Sequence, residues 1–189
     1  GTSKGKEKVI VTVIPPRGEK GPRYLLDGSG DKEYIKMNAN SYLGLSMHPE
    51  VIRAEEKAAR EYGVGPGAVR FISGTHQPHV ELEKRLAAFH GREAAMILSS
   101  AYVTSMGVIV PLTTPETVVI SDELNHNCII NALRLSRPAQ KYIFKHNDMG
   151  DLKTKLTEAV GKGKRALVIT DGIFSMRGDH SPFRSSPHS

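Results

Sequence analysis

Four short apolar runs in the second half of the chain each end in side chains able to do chemistry. Residues 94–98 are followed by Ser99 and Ser100. Residues 117–120 lead to Asn125 and His126, residues 141–144 to His146 and Asp148, and residues 166–169 to Asp171 and Ser175. Hydroxyls, imidazoles, an amide and carboxylates gathered together can hold an anion, orient a flat ring or move a proton. Ser99-Ser100-Ala101-Tyr102 opens a helix with small residues. It reads either as a cradle of backbone N–H groups for a phosphate or as a plain serine N-cap. His126 stands where a strand hands over to a helix, and it reads either as a ring that stacks on a ligand or as a capping surface residue. Cys128, in the first turn of that helix, is either a thiol with a lowered pKa or a packing residue.

Other chemistries lack their patterns. No Gly-x-x-x-x-Gly-Lys-Ser/Thr run exists, and no Gly-x-Gly-x-x-Gly follows a strand, which disfavours those nucleotide sites. Eight histidines occur without His-Glu-x-x-His or Cys/His spacing, so no metal is expected. The net charge of +6 comes from dispersed lysines and arginines, clustered only at Lys162-Gly163-Lys164-Arg165. Without interleaved aromatic residues or a binding module, that charge suits an anionic small ligand rather than nucleic acid. No apolar run approaches the roughly 18–20 residues that span a bilayer, and no signal peptide is visible. The single cysteine excludes an internal disulfide and fits a reducing cytoplasm.

The elements that must position these residues follow from periodicity. Residues 1–30 are rich in Gly, Pro and Lys, with an edge strand over 9–14 and a turn at Asp27-Gly28-Ser29-Gly30. A short strand covers 34–37. Pro49 starts a helix whose Val51, Ala54, Ala58 and Tyr62 recur at helical spacing, and Gly63 ends it. The glycine-rich stretch 63–76 allows close approach of backbone to a ligand or partner chain. A helix over 79–90 follows. Then strands at 94–98, 117–120, 141–144 and 166–169 alternate with helices at about 102–112, 127–135 and 151–160. This alternation predicts an α/β fold whose mainly parallel sheet has helices on both faces, with all four polar loops on one edge. The expected organisation is an N-terminal arm with short strands over 1–45, a partial large domain over 46–180 and an atypical Ser/Pro/Arg-rich tail over 181–189.

Five motifs in order carry a resemblance: Asn40-Ser41-Tyr42-Leu43-Gly44-Leu45, Arg70-Phe71-Ile72-Ser73-Gly74-Thr75-His76, Ser121-Asp122-Glu123-Leu124-Asn125-His126, His146-Asn147-Asp148-Met149, and the run from Thr170 through Ser175 to Asp179. Together they resemble the α-oxoamine synthases, whose members include glycine C-acetyltransferase and 8-amino-7-oxononanoate synthase. The resemblance implies the aspartate-aminotransferase-like large domain of pyridoxal-phosphate (PLP) enzymes of fold type I, here truncated. It implies a homodimeric cytoplasmic acyltransferase that condenses an amino acid, glycine first, with an acyl-CoA to a 2-amino-3-oxo product and CoA. Decarboxylating members also release CO2. Ala101 and Tyr102 would offer amides to the cofactor phosphate, with Ala101 where many members have glycine. His126 would stack on the pyridine ring, Ser175 would bond near its phenolic oxygen, and Asn40 would lie near the substrates. Residues 70–76 would lie near the dimer interface.

The departures are as informative. The family's Schiff-base lysine sits in a Ser/Thr-x-x-Lys motif, preceded by the aspartate that faces the pyridine nitrogen. No lysine here, including Lys141, Lys145 and Lys153, stands in that context. The family's C-terminal small domain has no counterpart, and Arg17 and Arg23 are poor matches to its carboxylate-binding arginine. The expectation is a fragment inactive by itself. The alternatives are a non-catalytic module binding a cofactor or partner, and a related aminotransferase.

Overall fold

The computed structural model of the protein describes residues 10–14 and 23–182. The start of the expected first strand at Val9, the Pro15-Pro16 stop, Arg17 and the tail from Phe183 lie outside the described residues. The chain forms two compact units, residues 1–82 and 83–189.

In the first unit, β1 (Val11–Ile14), β2 (Arg23–Leu26) and β3 (Glu33–Ile35) make an antiparallel sheet in that order. Leu26 faces Val11 and Tyr24 faces Tyr34. β2 is a strand the sequence reading lacked. Four residues show too little alternation to announce themselves, and pairing on both sides is what extends them. Arg23, one of the two weak arginine candidates, belongs to this strand. The helix α1 (Pro49–Tyr62) carries Pro49 in its first turn and ends where Gly63 takes φ 81°. None of its residues is buried, so its apolar stripe has no cover within this unit among the described residues.

The second unit holds the sheet that organises the site. The division between units falls within α2 (Gln77–Phe89). After α3 (Ala101–Leu112) comes β4 (Thr117–Asp122), then α4 (Asn127–Leu135), β5 (Gln140–Phe144), α5 (Met149–Ala159) and β6 (Arg165–Ile169). The three strands are parallel, with β4 between β5 and β6 and Ile120 opposite both Tyr142 and Val168.

The run Thr-Val-Val-Ile suits this central place, because β-branched side chains fit a strand covered on both faces. Val119 packs with Ile109 of α3 and Cys128, Ile129, Ala132 and Leu133 of α4. Val118 and Ile120 point to the other face and pack with Phe144, Leu152 and Ala159. Burying each of Val118, Val119 and Ile120 contributes about 1.5–3 kcal/mol, so β4 is the rigid spine of the unit. Helices cover both faces, as the sequence predicts.

One predicted strand is absent. Residues 94–98 form no ladder; Met96 is 76% exposed, and the Ile97 amide donates to Glu83 Oε1 at 3.0 Å. An apolar β-prone run becomes a strand only when a neighbour accepts its backbone hydrogen bonds, and here a side chain takes that role. Three polar loops, rather than four, therefore follow strands of the sheet. Among the described residues no helix is long and apolar enough to cross a membrane.

Candidate functional site

At the C-terminal end of β4 the chain turns sharply, and buried polar side chains hold the turn. Asp122 Oδ1 accepts from the Leu124 amide at 2.8 Å. Asn125, only 3% exposed, donates through Nδ2 to Ser121 Oγ (2.9 Å) and to the Ile169 carbonyl (2.8 Å). Its Oδ1 accepts from the Asp171 amide at 2.9 Å, and the His126 amide donates to Asp171 Oδ2 at 2.7 Å. The ends of β4 and β6 are thus stitched together through one amide side chain and one carboxylate. An amide can do this because it offers donors and an acceptor at once.

This stitching delivers His126 to the N-cap of α4, where Nδ1 accepts from the Cys128 amide at 3.2 Å. A nitrogen that accepts carries no proton, so the neutral ring keeps its proton on Nε2. The Cys128 sulfur lies 3.0 Å from the same Nδ1 and 3.2 Å from Ser105 Oγ. The thiol is buried and packed. His126 is therefore a capping residue and still an exposed ring.

The run after β6 closes into a tight turn. The Gly178 amide donates to the Phe174 carbonyl (2.7 Å), the Phe174 amide to the Asp179 carbonyl (2.9 Å) and the Ser181 amide to the Gly172 carbonyl (3.0 Å). Gly178 takes φ 75°, in the left-handed region that favours glycine. Phe174 is buried beneath the turn, and Ser175, Met176 and Arg177 stand exposed above it. A cavity of about 330 Å³ lies between this turn and the start of α4, with His126 and Ser175 both on its wall. Its remaining lining is largely apolar, including Leu124, Phe174 and Met176.

The other candidates fall in three groups. Ala101 and Tyr102 form the first turn of α3, whose N-cap Ser100 accepts from the Val103 amide. The amides of Ala101 and Tyr102 precede the first intrahelical acceptor, as the opening amides of any helix do. Ser105 Oγ lies 3.1 Å from the Ala101 carbonyl oxygen and 3.2 Å from Cys128 Sγ, and Tyr102 Oη accepts from Asn131 at 2.8 Å. These contacts bring the start of α3 beside the start of α4. Asp148 caps α5 through the Asp151 amide. Asn40 is exposed and belongs to the first unit.

The sequence reading missed a network beside the cavity. His146 Nδ1 lies 3.0 Å from Asp122 Oδ1, and Nε2 lies 3.0 Å from Asp179 Oδ2. Its ring meets Phe174 edge-on at 4.3 Å. The usable signal was Asp122, a carboxylate closing a β-branched run: buried there, it requires a partner. Among the described residues no cluster of three or more His, Cys, Asp or Glu is placed to hold a metal ion.

Comparison with known proteins gives this geometry a context. The family described as Aminotransferase class I and II matches residues 32–184. Human mitochondrial 2-amino-3-ketobutyrate coenzyme A ligase is 45% identical over 185 residues, covering 97% of this chain and 42% of the relative. The 8-amino-7-oxononanoate synthase of Thermoanaerobacter pseudethanolicus is 46% identical over 159 residues, covering 84% and 39%. Among solved structures, a serine palmitoyltransferase from S. paucimobilis with bound PLP superposes with TM-score 0.79 at 27% identity, covering 90% of this chain and 42% of that one. The chain spans about two fifths of the length of the relatives it matches.

Proposed function

The chain belongs to the aminotransferase class I and II family, in its α-oxoamine synthase branch, and on that premise we propose that it forms one wall of a PLP site in an enzyme joining an amino acid to an acyl-CoA. The observation that carries this reading is the shared cavity. His126 and Ser175 arrive from the ends of different parallel strands and face one space. Its volume, about 330 Å³, lies at the small end of the range for small-molecule sites, about 300–1,000 Å³.

The residues suit the cofactor. His126 presents a flat ring whose in-plane rotation is checked by the Cys128 amide, leaving Nε2–H as the outward donor. Ser175 supplies a hydroxyl that donates or accepts. The amides of Ala101 and Tyr102, at the positive end of the α3 dipole, suit a dianionic phosphate. When bound, PLP supplies an electron sink for the carbon bearing the substrate's amino group. The protein's part is to orient that group, to screen it from water with Leu124, Phe174 and Met176, and to hold a proton at His126 Nε2. Asn40 is assigned to the amino-acid and acyl-CoA side. Residues 70–76 are assigned to a homodimer contact, and Phe71, 89% exposed, supports this.

Glycine with acetyl-CoA is the proposed substrate pair, supported by the similarity to a 2-amino-3-ketobutyrate coenzyme A ligase. No described lysine lines the cavity, which supports a chain that binds the cofactor without turnover of its own. A reducing, cytoplasmic compartment suits the buried free thiol of Cys128. The test adds PLP, then glycine and acetyl-CoA, to the purified protein. Saturable PLP binding that His126→Ala weakens about tenfold, without CoA release, is the expected result. Equal binding by both proteins would overturn the site, and CoA release would overturn the absence of turnover.

A further inference from the structure

The turn that carries Ser175 has few apolar anchors. Phe174 is buried, but Ile173, Ser175, Met176, Arg177 and Gly178 are exposed. An imidazole joins its closing end to the sheet. His146 follows β5, and its ring reaches Asp122 at the end of β4 on one side and Asp179 at the close of the turn on the other, both at 3.0 Å. The ring also supports Phe174 edge-on, and the His146 amide donates to Glu123 Oε1 at 2.9 Å. Asn147 adds to the same junction: its amide donates to Asp122 Oδ2 and its Nδ2 to the His180 carbonyl. We propose that His146 is a positioning residue: spanning Asp122 and Asp179, it locks the turn of residues 174–179, and with it Ser175, onto the end of β4.

The chemistry of the junction makes the lock sensitive to pH. Each ring nitrogen faces a carboxylate oxygen, and carboxylates only accept, so the doubly protonated ring can make both bonds whereas the neutral ring can donate only one. The hydrogen bond to Asp179, then that to Asp122, raises the His146 pKa above the ordinary histidine value, while burial opposes them. The same bond to His146 holds Asp179 below the ordinary carboxylate range, with Arg177 adding to it. Asp179 Oδ2 serves both His146 and Arg177 Nε, at 3.0 and 3.1 Å, while its buried Oδ1 has no hydrogen-bond partner. The charged or titratable groups around the ring are Asp122 and Glu123 after β4, Lys145 and Asp148 beside it, Asp151 of α5, and Arg177, Asp179 and His180 of the turn.

The sign follows from linkage. His146 contributes stability that is complete below its unfolded pKa and is lost as pH rises through the raised folded value. Asp179 contributes stability present above its unfolded pKa and lost as pH falls through its lowered folded value. The lock is therefore tightest in mildly acid to neutral solution and opens on the alkaline side as His146 loses its proton.

Consequences for the cofactor rest on the function proposed above, but the lock can be tested without it. The amides of Phe174 and Gly178, bonded within the turn, report its closure by hydrogen exchange in the 189-residue protein. Their protection is expected to fall about tenfold or more between about pH 6 and about pH 9, the size expected for losing a hydrogen bond to a charged group. In His146→Gln, which keeps a donor and loses the charge, protection should already be about tenfold lower and should not change with pH. In Asp179→Asn, whose change is confined to the turn, exchange should quicken and the His146 ring should titrate at a lower pH than in the parent. Parent-like protection in His146→Gln, or an unmoved His146 titration in Asp179→Asn, would overturn the proposal. Should His146→Gln fail to fold, the Asp179→Asn titration decides. If the lock behaves as expected while PLP fails to bind, the proposed function falls and the positioning role stands.

Discussion

Replacing Asn125 by alanine should weaken the second unit more than its small size suggests. The side chain makes three hydrogen bonds inside the fold: to Ser121 Oγ at 2.9 Å, to the Ile169 carbonyl at 2.8 Å and from the Asp171 amide at 2.9 Å. A net hydrogen bond contributes about 0.5–1.5 kcal/mol, whereas a buried group left without a partner costs about 1–3 kcal/mol. Ser121 Oγ also bonds to the Asp122 carbonyl, so it keeps a partner. The Ile169 carbonyl and the Asp171 amide lose theirs, which puts the total near about 2–4 kcal/mol. Asn125→Asp should cost at least as much, because a carboxylate oxygen would face the Ile169 carbonyl where an N–H now donates. Urea unfolding reads the effect as a lower midpoint with an unchanged slope. Asp171→Ala leaves in place the backbone amide that Asn125 Oδ1 accepts from and removes only the carboxylate on the His126 amide, so it reads the second stitch separately. A loss below about 1 kcal/mol for Asn125→Ala would refute the stitching of β4 to β6.

Three further outcomes are expected. Gly74→Ala should destabilise the 63–76 loop toward the upper end of the roughly 1–3 kcal/mol typical of overpacking, because an added Cβ would sit 1.9 Å from the Ala68 carbonyl oxygen; a parent-like unfolding midpoint would contradict this. Ser100→Ala should lower stability by about 0.5–2 kcal/mol through loss of the α3 cap, whereas Ser100→Thr, which retains the acceptor, should restore most of it; equal losses would show that the cap is not the cause. Raising pH through the His146 titration should lower the unfolding midpoint of the parent but not that of His146→Gln, and parallel curves for the two would exclude this linkage.

Several elements were legible because the signals are local. Pro49 and Gly63 mark the ends of α1, and the apolar spacing from Cys128 to Leu133 gives α4 its buried face. The run Thr117–Asp122 is β-branched at its core and reads as a central strand. What failed depends on partners remote in sequence. β2 extends because β1 and β3 flank it, and residues 94–98 stay out of a ladder because Glu83 takes the Ile97 amide. The same limit applies to the site. His126 and Ser175 were named from motifs, yet whether His126 caps a helix had no answer in the sequence; the structure makes it the cap of α4 and leaves its ring on the cavity wall. The Asp122–His146–Asp179 lock joins residues 24 and 33 positions apart, which only a parallel sheet order brings together. Ser100 resolved toward the plainer of its two readings, as the cap of α3.

In the proposed function, the starts of α3 and α4 and the turn after β6 form one cofactor site. Titrating PLP into the isotope-labelled protein and following backbone amide signals tests it most directly. Ala101, Tyr102, His126 and Ser175 should shift together along one saturation curve, and His126→Ala should weaken that curve for all of them. Shifts confined to surface lysines, or separate curves for the α3 amides and for Ser175, would contradict it.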